Sequence, residues 1–300
     1  MSMKRKRKRA HDTSTSDLFS DLPAPPPQED LVELRAIRRP VWTEQKAKLI
    51  SRYLKLFTFV TRHGTYIDGF AGQQSDETTE GWAAELVLAQ RPWRLRRYYL
   101  CDAGREQVAG LEALKARQPA RDKTKDSKRE VEILHGDFNK LVHKILRDRK
   151  LDVATFCLLD QRTFECKWAT VEALARHRST GNKIELFYFL PIRWLNRAFV
   201  ATSTVDGLRD IEQWWGRRDW RDLIDMQAFE KANAFQERFL KLGYKHVWPF
   251  PIVDSENGNR IMFYMILATD HPEAPKLMWR AYDQAQPDQP GWIQQELAGL

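Results

Sequence analysis

The sequence predicts an α/β fold, in which a doubly wound, mostly parallel sheet carries a C-terminal antiparallel hairpin and a helical insertion. Short apolar runs alternate with segments of helical period as far as residue 190, which is the spacing of βαβ units. The run 154–159 is almost wholly apolar, as expected of a strand covered on both faces. Near the C-terminus, two strand-like runs flank Asn257-Gly258, the pair favoured in tight hairpin turns.

The individual elements follow from the same periodicities. A first helix is expected at 43–59, capped by Thr43, because Ala47, Ile50, Leu54 and Phe57 recur at helical spacing. Strands are predicted at 65–70, 97–101, 131–134, 153–159, 183–190, 244–253 and 260–268. Further helices are predicted at 82–89, 106–116, 138–147 and 168–177, in an insertion at about 191–242, and from near Pro272.

Composition and charge limit the class of protein that this sequence can encode. The 300 residues are 42% hydrophobic and 30% charged, which is typical of a globular domain. No run of 18 apolar residues occurs, and no apolar segment follows the basic N-terminus, so neither a membrane-spanning helix nor a secretory signal is expected. These features, with three cysteines in no metal-binding spacing, predict a cytoplasmic protein with reduced thiols.

The N-terminal 40 residues differ from the rest of the chain. Six consecutive basic residues, beginning with Lys4 and ending with Arg9, supply most of the net charge of +8. A polar stretch and four prolines follow, so residues 1–40 are predicted to be a disordered tail and residues 41–300 the folded domain. The basic run is either a solvated extension or a contact for nucleic acid, since such runs bind polyanions by releasing counterions.

Four predicted strands are each followed by an aspartate. Asp68 opens the run Asp68-Gly69-Phe70-Ala71-Gly72, and Asp102, Asp137 and Asp160 follow the next three strands. The carboxyl ends of parallel strands meet at one edge of the sheet, where ligands of open α/β folds bind. The glycines allow the backbone to approach a ligand closely, Asp102 is placed to accept hydrogen bonds from ribose hydroxyls, and Asp137 with Asn139 is placed to hold an adenine edge.

Three segments resemble the three-Cys-motif partner protein (TcmP) family over about residues 43–284. They are 66–72 (YIDGFAG), 136–139 (GDFN) and 268–272 (ATDHP), and the run 158–164 (LLDQRTF) looks like one branch of that family. The resemblance implies a class I methyltransferase type of fold, S-adenosylmethionine as cofactor, a bacterial or phage setting, and an accessory relationship to a radical-SAM-like protein with a three-cysteine motif.

Two positions depart from the family pattern. Many relatives have Gly-Ser-Pro where this chain reads Gly81-Trp82-Ala83-Ala84, and many have proline where Gln161 follows Asp160. An Asp-Pro-Pro-Tyr motif for methylating amines and a Pro-Cys nucleophile for cytosine are absent from the sequence. These departures favour a second interpretation, in which the chain is a non-catalytic partner that keeps the fold.

The leading prediction is a methyltransferase that uses S-adenosylmethionine and acts near nucleic acid. Asp160 would face the substrate, and Arg162 and Arg193, just past two strand ends, would contact an anionic substrate. The predicted cofactor-binding residues are Asp68, Gly69, Phe70, Ala71, Gly72, Asp102, Asp137 and Phe138.

Two further points concern nucleic acid and metal. The Trp/Arg-rich insertion is a candidate nucleic-acid contact, although core packing is favoured for its tryptophans. No metal is predicted, because a two-metal nuclease needs carboxylates about 4 Å from a shared metal pair, and aspartates on separate strands usually lie too far apart.

Overall fold

The structure, a computed structural model, describes residues 41–42, 45–73, 81–149, 151–162, 164–254 and 260–285. The predicted basic tail, the Thr43 cap and the Asn257-Gly258 turn lie outside these residues. The strands are β1 (Val41–Trp42), β2 (Gly64–Asp68), β3 (Leu95–Asp102), β4 (Glu130–His135), β5 (Thr155–Leu159), β6 (Glu185–Leu190), β7 (His246–Asp254) and β8 (Arg260–Thr269). The helices are α1 (Lys46–Thr61), α2 (Ala83–Ala89), α3 (Arg105–Ala116), α4 (Phe138–Asp148), α5 (Trp168–Arg176), α6 (Ile192–Ala201), α7 (Val205–Trp215), α8 (Ala228–Lys241) and α9 (Ala274–Ala285), with a 3₁₀ helix at Arg218–Leu223.

All eight strands form one sheet in the order β1-β7-β8-β6-β5-β2-β3-β4. The segment β4-β3-β2-β5-β6 has the 3-2-1-4-5 order of doubly wound sheets and is parallel throughout. Strand β8 runs antiparallel to both of its neighbours, β6 and β7. A reversed strand inserted at this place is the distinguishing feature of the class I methyltransferase sheet, and the predicted fold class is therefore confirmed.

Both faces of the sheet are covered, and the strand residues alternate between two cores. In β2, Tyr66 faces α1, α2, α3 and α9, whereas Ile67 faces α4, α5 and the helices between β6 and β7. Both residues are fully buried, as are Phe156 and Cys157 in the neighbouring β5. Burial on two faces explains why these strands are nearly continuous apolar runs in the sequence.

Helix α1 covers the sheet on the first of these faces, and it differs in detail from the prediction. It begins at Lys46 rather than at residue 43, and Gln45 in the N-cap position makes no side-chain cap. Its end is set by Arg62, whose φ is 63°, and not by Gly64, which already belongs to β2. Gly64 is required for another reason, since a Cβ there would lie 2.8 Å from the Phe57 ring and 3.0 Å from a backbone oxygen.

The segment between β6 and β7 folds as the predicted helical insertion and is fastened by buried aromatic side chains. Trp214, Trp215 and Trp220 are all less than 7% exposed. The guanidinium of Arg238 lies between the rings of Trp168 and Trp215, 3.7 and 4.2 Å from their centroids, which ties α8 to α5 and α7. The sequence favoured core packing for the tryptophans of the insertion. These three confirm it, whereas Trp194 is 46% exposed and does not. Across the described part of the chain, no helix has both the length and the apolar character required to span a membrane.

Candidate functional site

The carboxyl edge of the sheet contains a small cavity lined by both Asp68 and Asp160. Asp68 ends β2 and Asp160 directly follows β5, and these two strands are hydrogen-bonded neighbours. The cavity is completed by Lys46, Phe70, Ala71, Gly72, Gly81, Trp82, Ala83 and Leu158. Five of the predicted site residues therefore line one space: Asp68, Phe70, Ala71, Gly72 and Asp160.

Asp68 is a carboxyl group held in an unusual environment. It is 1% exposed, and it accepts hydrogen bonds from the Tyr66 hydroxyl at 2.8 Å and from the Phe70 backbone N–H at 3.2 Å. Burial raises its pKa to about 7, although both hydrogen bonds act in the opposite direction. Near neutral pH this group therefore exists in both protonation states, and a cation bound in the cavity would favour the carboxylate.

Asp160 is paired with Lys46, which comes from the first turn of α1. The two Oδ atoms lie 3.0 and 2.9 Å from the lysine Nζ. The ammonium group also lies 5.1 and 5.0 Å from the ring centroids of Phe189 and Phe263, so aromatic faces and a carboxylate surround it. Both partners are largely shielded from solvent, and the pair fixes the direction in which the Asp160 carboxylate points.

The glycine-containing turn after β2 is packed against the protein's own side chains. A Cβ at Gly69 would lie 2.7 Å from the Phe138 ring, and one at Gly72 would lie 2.4 Å from both Asp102 Oδ2 and the Gln107 Cβ. Neither glycine has a positive φ. The sequence predicted a close approach of this backbone to a ligand, and in the structure the close approach is to Phe138, Asp102 and Gln107.

Asp102 is engaged by two backbone N–H groups. Gly72 donates to its Oδ2 at 2.9 Å, and Gly104 donates to its Oδ1 at 2.8 Å. Each carboxylate oxygen has further lone pairs, so the side chain keeps acceptor capacity for a ligand hydroxyl. Asp102 does not line the cavity itself, but it holds in place the turn that forms one wall.

Asp137 and Phe138 begin α4, where Asp137 is the N-cap and accepts from the Asn139 backbone N–H at 2.9 Å. The predicted role of Asn139 in binding an adenine edge is contradicted, because both its amide oxygen and its amide nitrogen are hydrogen-bonded within the protein. Its Oδ1 accepts from the Lys167 backbone N–H and from the Thr170 hydroxyl, and its Nδ2 donates to Asp137 and to the Glu165 carbonyl. Asn139 thus fastens the loop after β5 to α4.

The other residues predicted on this edge lie outside the cavity. Arg162 is exposed, and its backbone N–H donates to Glu165. Arg193 lies at the start of α6, with its Nη1 3.6 Å from the sulfur of Met262. Gln161, at the position where many relatives have proline, is buried and links the Phe189 carbonyl to the Cys166 N–H.

All three cysteines are free and buried, as the sequence predicted. Burial raises the pKa of the Cys166 thiol well above its usual range, which disfavours the thiolate form that a nucleophile requires. Within the described residues, no group of three or more His, Cys, Asp and Glu side chains is placed to hold a metal ion.

Lys46 and Trp82 are the site residues whose roles the sequence did not assign. Lys46 heads the apolar stripe of α1 that continues with Ile50, Tyr53 and Phe57, and a cation on a buried helix face was the available signal. Trp82 was noted only as a departure from the family pattern. Its Nε1 donates to the Ala71 carbonyl at 2.7 Å, so the indole closes the cavity beside the glycine turn.

A second cavity lies at the opposite edge of the sheet, the amino edge, between α1 and α9. Its buried acid is Glu185, which accepts from the Tyr53 hydroxyl at 2.5 Å and from the Thr269 hydroxyl at 2.6 Å. Both carboxylate oxygens are thus engaged inside the protein, and ligands of doubly wound folds bind at the carboxyl edge. The cavity of Asp68 and Asp160 is therefore the candidate site.

Comparisons with known proteins give only distant structural likenesses. No protein-family model and no curated protein matches the sequence. Protein LPL1258 from Legionella pneumophila, of family DUF519, superposes with a TM-score of 0.45 at 11% identity, over 81% of this chain and 91% of its own. Cofactor-bound Rv0187 from MTB gives a TM-score of 0.40 at 13% identity, covering 80% and 86%.

The methyltransferase domain of bacterial CtHen1 gives a TM-score of 0.38 at 14% identity, over 74% of this chain and 99% of that domain. At TM-scores below 0.5 these likenesses carry no weight. The fold assignment rests on the strand order, and the site rests on its own side chains.

Proposed function

We propose that this chain is a methyltransferase that uses S-adenosylmethionine, with the amino-acid end of the cofactor bound in the cavity of Asp68 and Asp160. The observation that supports this most directly is Asp68, a buried carboxyl group of raised pKa that lines a cavity at the carboxyl edge of a class I methyltransferase-type sheet. A carboxylate in this position suits the ammonium group of the cofactor, because the two carry opposite charges.

The remaining residues divide between cofactor and substrate. Asp102, with its unused lone pairs, would accept hydrogen bonds from the ribose hydroxyls, and Asp137 and Phe138 at the start of α4 would border the adenine. To admit the ribose and the adenine, the turn containing Gly69 and Gly72 has to move away from Phe138 and Asp102, with which it is in close contact. Asp68 suits the amino-acid end of the cofactor by its charge, and the cavity and this turn both have to open before the cofactor can enter.

In the chemical step, Asp160 would accept a proton from the substrate O–H or N–H that is being methylated. Bound S-adenosylmethionine supplies the methyl group on a sulfonium, which becomes a neutral thioether when the nucleophile takes the methyl group. Lys46 holds the Asp160 carboxylate in one orientation, and Trp82 excludes water from the side of the glycine turn. The protein contributes mainly position, by keeping the nucleophile, methyl group and proton acceptor together.

Two aspartates at opposite ends of β5 give a matched test of this proposal. Asp160 pairs with Lys46 in the cavity, whereas Asp152 pairs with Arg97 at 2.8 Å and is largely exposed. Asp160→Asn should lower the transfer of labelled methyl groups from S-adenosylmethionine into a mixed nucleic-acid and protein extract by about 100-fold or more, the range for loss of a positioned base. Asp152→Asn should leave the transfer within about twofold. Equal activity of the two variants would contradict the role given to Asp160.

A second candidate function is favoured by a different observation. The backbone donors on Asp102, the internal bonds of Asn139 and the closed glycine turn are all features that a non-catalytic partner can retain. The resemblance of 66–72, 136–139 and 268–272 to three-Cys-motif partner proteins supports this alternative, with a radical-SAM-like protein as the partner. Wild-type protein that binds neither S-adenosylmethionine nor its demethylated product in calorimetry, while remaining folded, would favour it.

A further inference from the structure

A wide groove runs between α5 and the insertion, outside the cavity described above. It is lined by residues 167–169 and Glu172 on one side, and by parts of α7 and the 3₁₀ helix on the other. The groove is open to solvent rather than enclosed.

The lining of the groove is strongly basic. Five cationic side chains line it, against the two acidic residues Glu172 and Glu212: Lys167, Arg209, Arg217, Arg218 and Arg221. Four of the five are arginines, whose planar guanidinium groups bind phosphate oxygens in pairs. Such a set is complementary to a phosphate backbone.

The ion pairs that these arginines make within the protein compete only weakly with phosphate groups for the guanidinium groups. Arg209 pairs with Asp206 at 3.5 Å, Arg217 with Asp219 at 2.8 Å, and Arg218 with Glu212 at 3.7 Å. All three arginine side chains are more than half exposed. Exposed pairs of this kind contribute about 0–1 kcal/mol each, so a polyanion can replace them at little cost.

The groove also offers apolar surface between its charges. Val205 is 74% exposed and Leu208 is partly exposed, while Trp168 and Trp220 form a buried floor. The Arg221 guanidinium lies 4.5 Å from the centroid of the Trp220 ring. A row of cations along a groove is the element that follows the phosphate backbone of a single-stranded nucleic acid. Val205 and Leu208 add exposed apolar surface that the bases of such a strand could contact.

The groove is connected to the proposed cofactor edge by hydrogen bonds. Lys167, which lines the groove, donates from its backbone N–H to Asn139 at 2.9 Å, and Asn139 Nδ2 donates to Asp137 at 2.8 Å. A strand bound in the groove would thus lie against the loop that leaves β5 after Asp160.

We propose that this groove binds the sugar-phosphate backbone of a single-stranded nucleic acid. The further statement that this strand is the substrate rests on the proposed methyl transfer. Binding of the nucleic acid to the groove is measured without cofactor. A groove that does not bind nucleic acid and a protein that does not transfer methyl groups are therefore distinguishable results.

The test compares two variants of equal charge change. In the groove variant, Arg209→Gln, Arg217→Gln and Arg218→Gln are combined. The control variant combines Lys115→Gln, Arg117→Gln and Arg147→Gln, which are exposed residues at the ends of α3 and α4 and at the opposite edge of the sheet. In all proteins compared, each of the six basic residues from Lys4 to Arg9 is also changed to Gln, so that the tail does not mask the groove.

Binding is measured by fluorescence anisotropy with a labelled 20-nucleotide RNA of mixed sequence, over a range of salt concentrations. The groove variant should bind at least about tenfold more weakly, and the slope of log affinity against log salt should fall by about 2, or about 0.7 for each lost phosphate contact. The control variant should bind like the parent.

Three results would overturn the proposal. They are no binding by the parent protein, equal weakening in the two variants, and displacement of the RNA by polyglutamate as effectively, per charge, as by unlabelled RNA. The last result would assign the groove to an acidic protein. Circular dichroism of both variants establishes that the fold is kept.

Discussion

At the scale of single residues, two buried carboxyl groups at opposite edges of the sheet distinguish this molecule. Burial raises the pKa of Asp68 and that of Glu185 to about 7. Asp68 lines the candidate site, whereas Glu185 is enclosed by Tyr53 and Thr269. Burial thus has a different consequence at each edge. The ionisation of Asp68 can depend on a ligand in the cavity, whereas that of Glu185 depends on whether the protein is folded.

The pKa of Glu185 predicts how stability depends on pH. Because its pKa in the folded protein exceeds the unfolded value of 4.5, its contribution to stability is present below pH 4.5 and is lost as pH rises to about 7. Glu185→Gln removes the titrating carboxyl group, and with it this loss of stability at higher pH. The free energy of unfolding of the variant, relative to wild type, should therefore increase by about 3 kcal/mol between pH 4.5 and pH 8 in urea titrations.

The control for this measurement is Glu237→Gln, an exposed residue paired with Lys241 on α8. It carries the same change of charge without burial, so its effect should stay within about 0.5 kcal/mol at both pH values. A Glu185→Gln effect that is the same at pH 4.5 and pH 8 would show that Glu185 does not titrate as described.

At the scale of elements, the turn after β2 determines whether the nucleoside end of a cofactor can enter. A methyl group at position 72 would collide with Asp102 and Gln107. Gly72→Ala should therefore displace this turn and weaken S-adenosylmethionine binding at least tenfold, by an amount that calorimetry measures directly. Gly110→Ala in α3 is the control, because its added Cβ would meet only the Trp82 ring at 3.9 Å. Equal affinities of the two variants would contradict the role of the turn.

The elements were largely predictable because their causes are local. The alternation of apolar strands with helical periods is visible in the sequence, and it indicates parallel βαβ units. The start of α1 was misplaced by three residues because no side chain caps it and tertiary contacts decide its first turn. The candidate site was predicted only in part. Which strands end in aspartate could be read directly, but the pairing of Lys46 with Asp160 joins residues 114 positions apart.

Asn139 shows why one prediction failed. Its position after a strand indicated a ligand contact, but the loop after β5 supplies a backbone donor and a carbonyl, α5 supplies the Thr170 hydroxyl, and Asp137 accepts from its Nδ2. The course of that loop depends on the packing of α5, which a single sequence does not specify.

At the scale of the whole molecule, the sheet separates a structural edge from a functional edge. The amino edge holds the saturated network of Glu185, whereas the carboxyl edge holds the cavity of Asp68 and Asp160. The basic groove lies beside this second edge, and the loop of Lys167 connects the two. A cofactor in the cavity and a polymeric substrate in the groove would use adjoining surfaces.

The most direct test of the account is the pH dependence of S-adenosylmethionine binding, measured by calorimetry from pH 5.5 to pH 7. If the Asp68 carboxylate binds the ammonium group of the cofactor, wild-type affinity should rise about tenfold over this interval, because the fraction of ionised Asp68 rises as pH approaches its pKa of about 7. Asp68→Asn should bind more weakly, with an affinity that stays nearly constant. Wild-type affinity that does not change with pH, or an Asp68→Asn variant that binds as tightly as wild type, would contradict the assignment of this cavity to the cofactor.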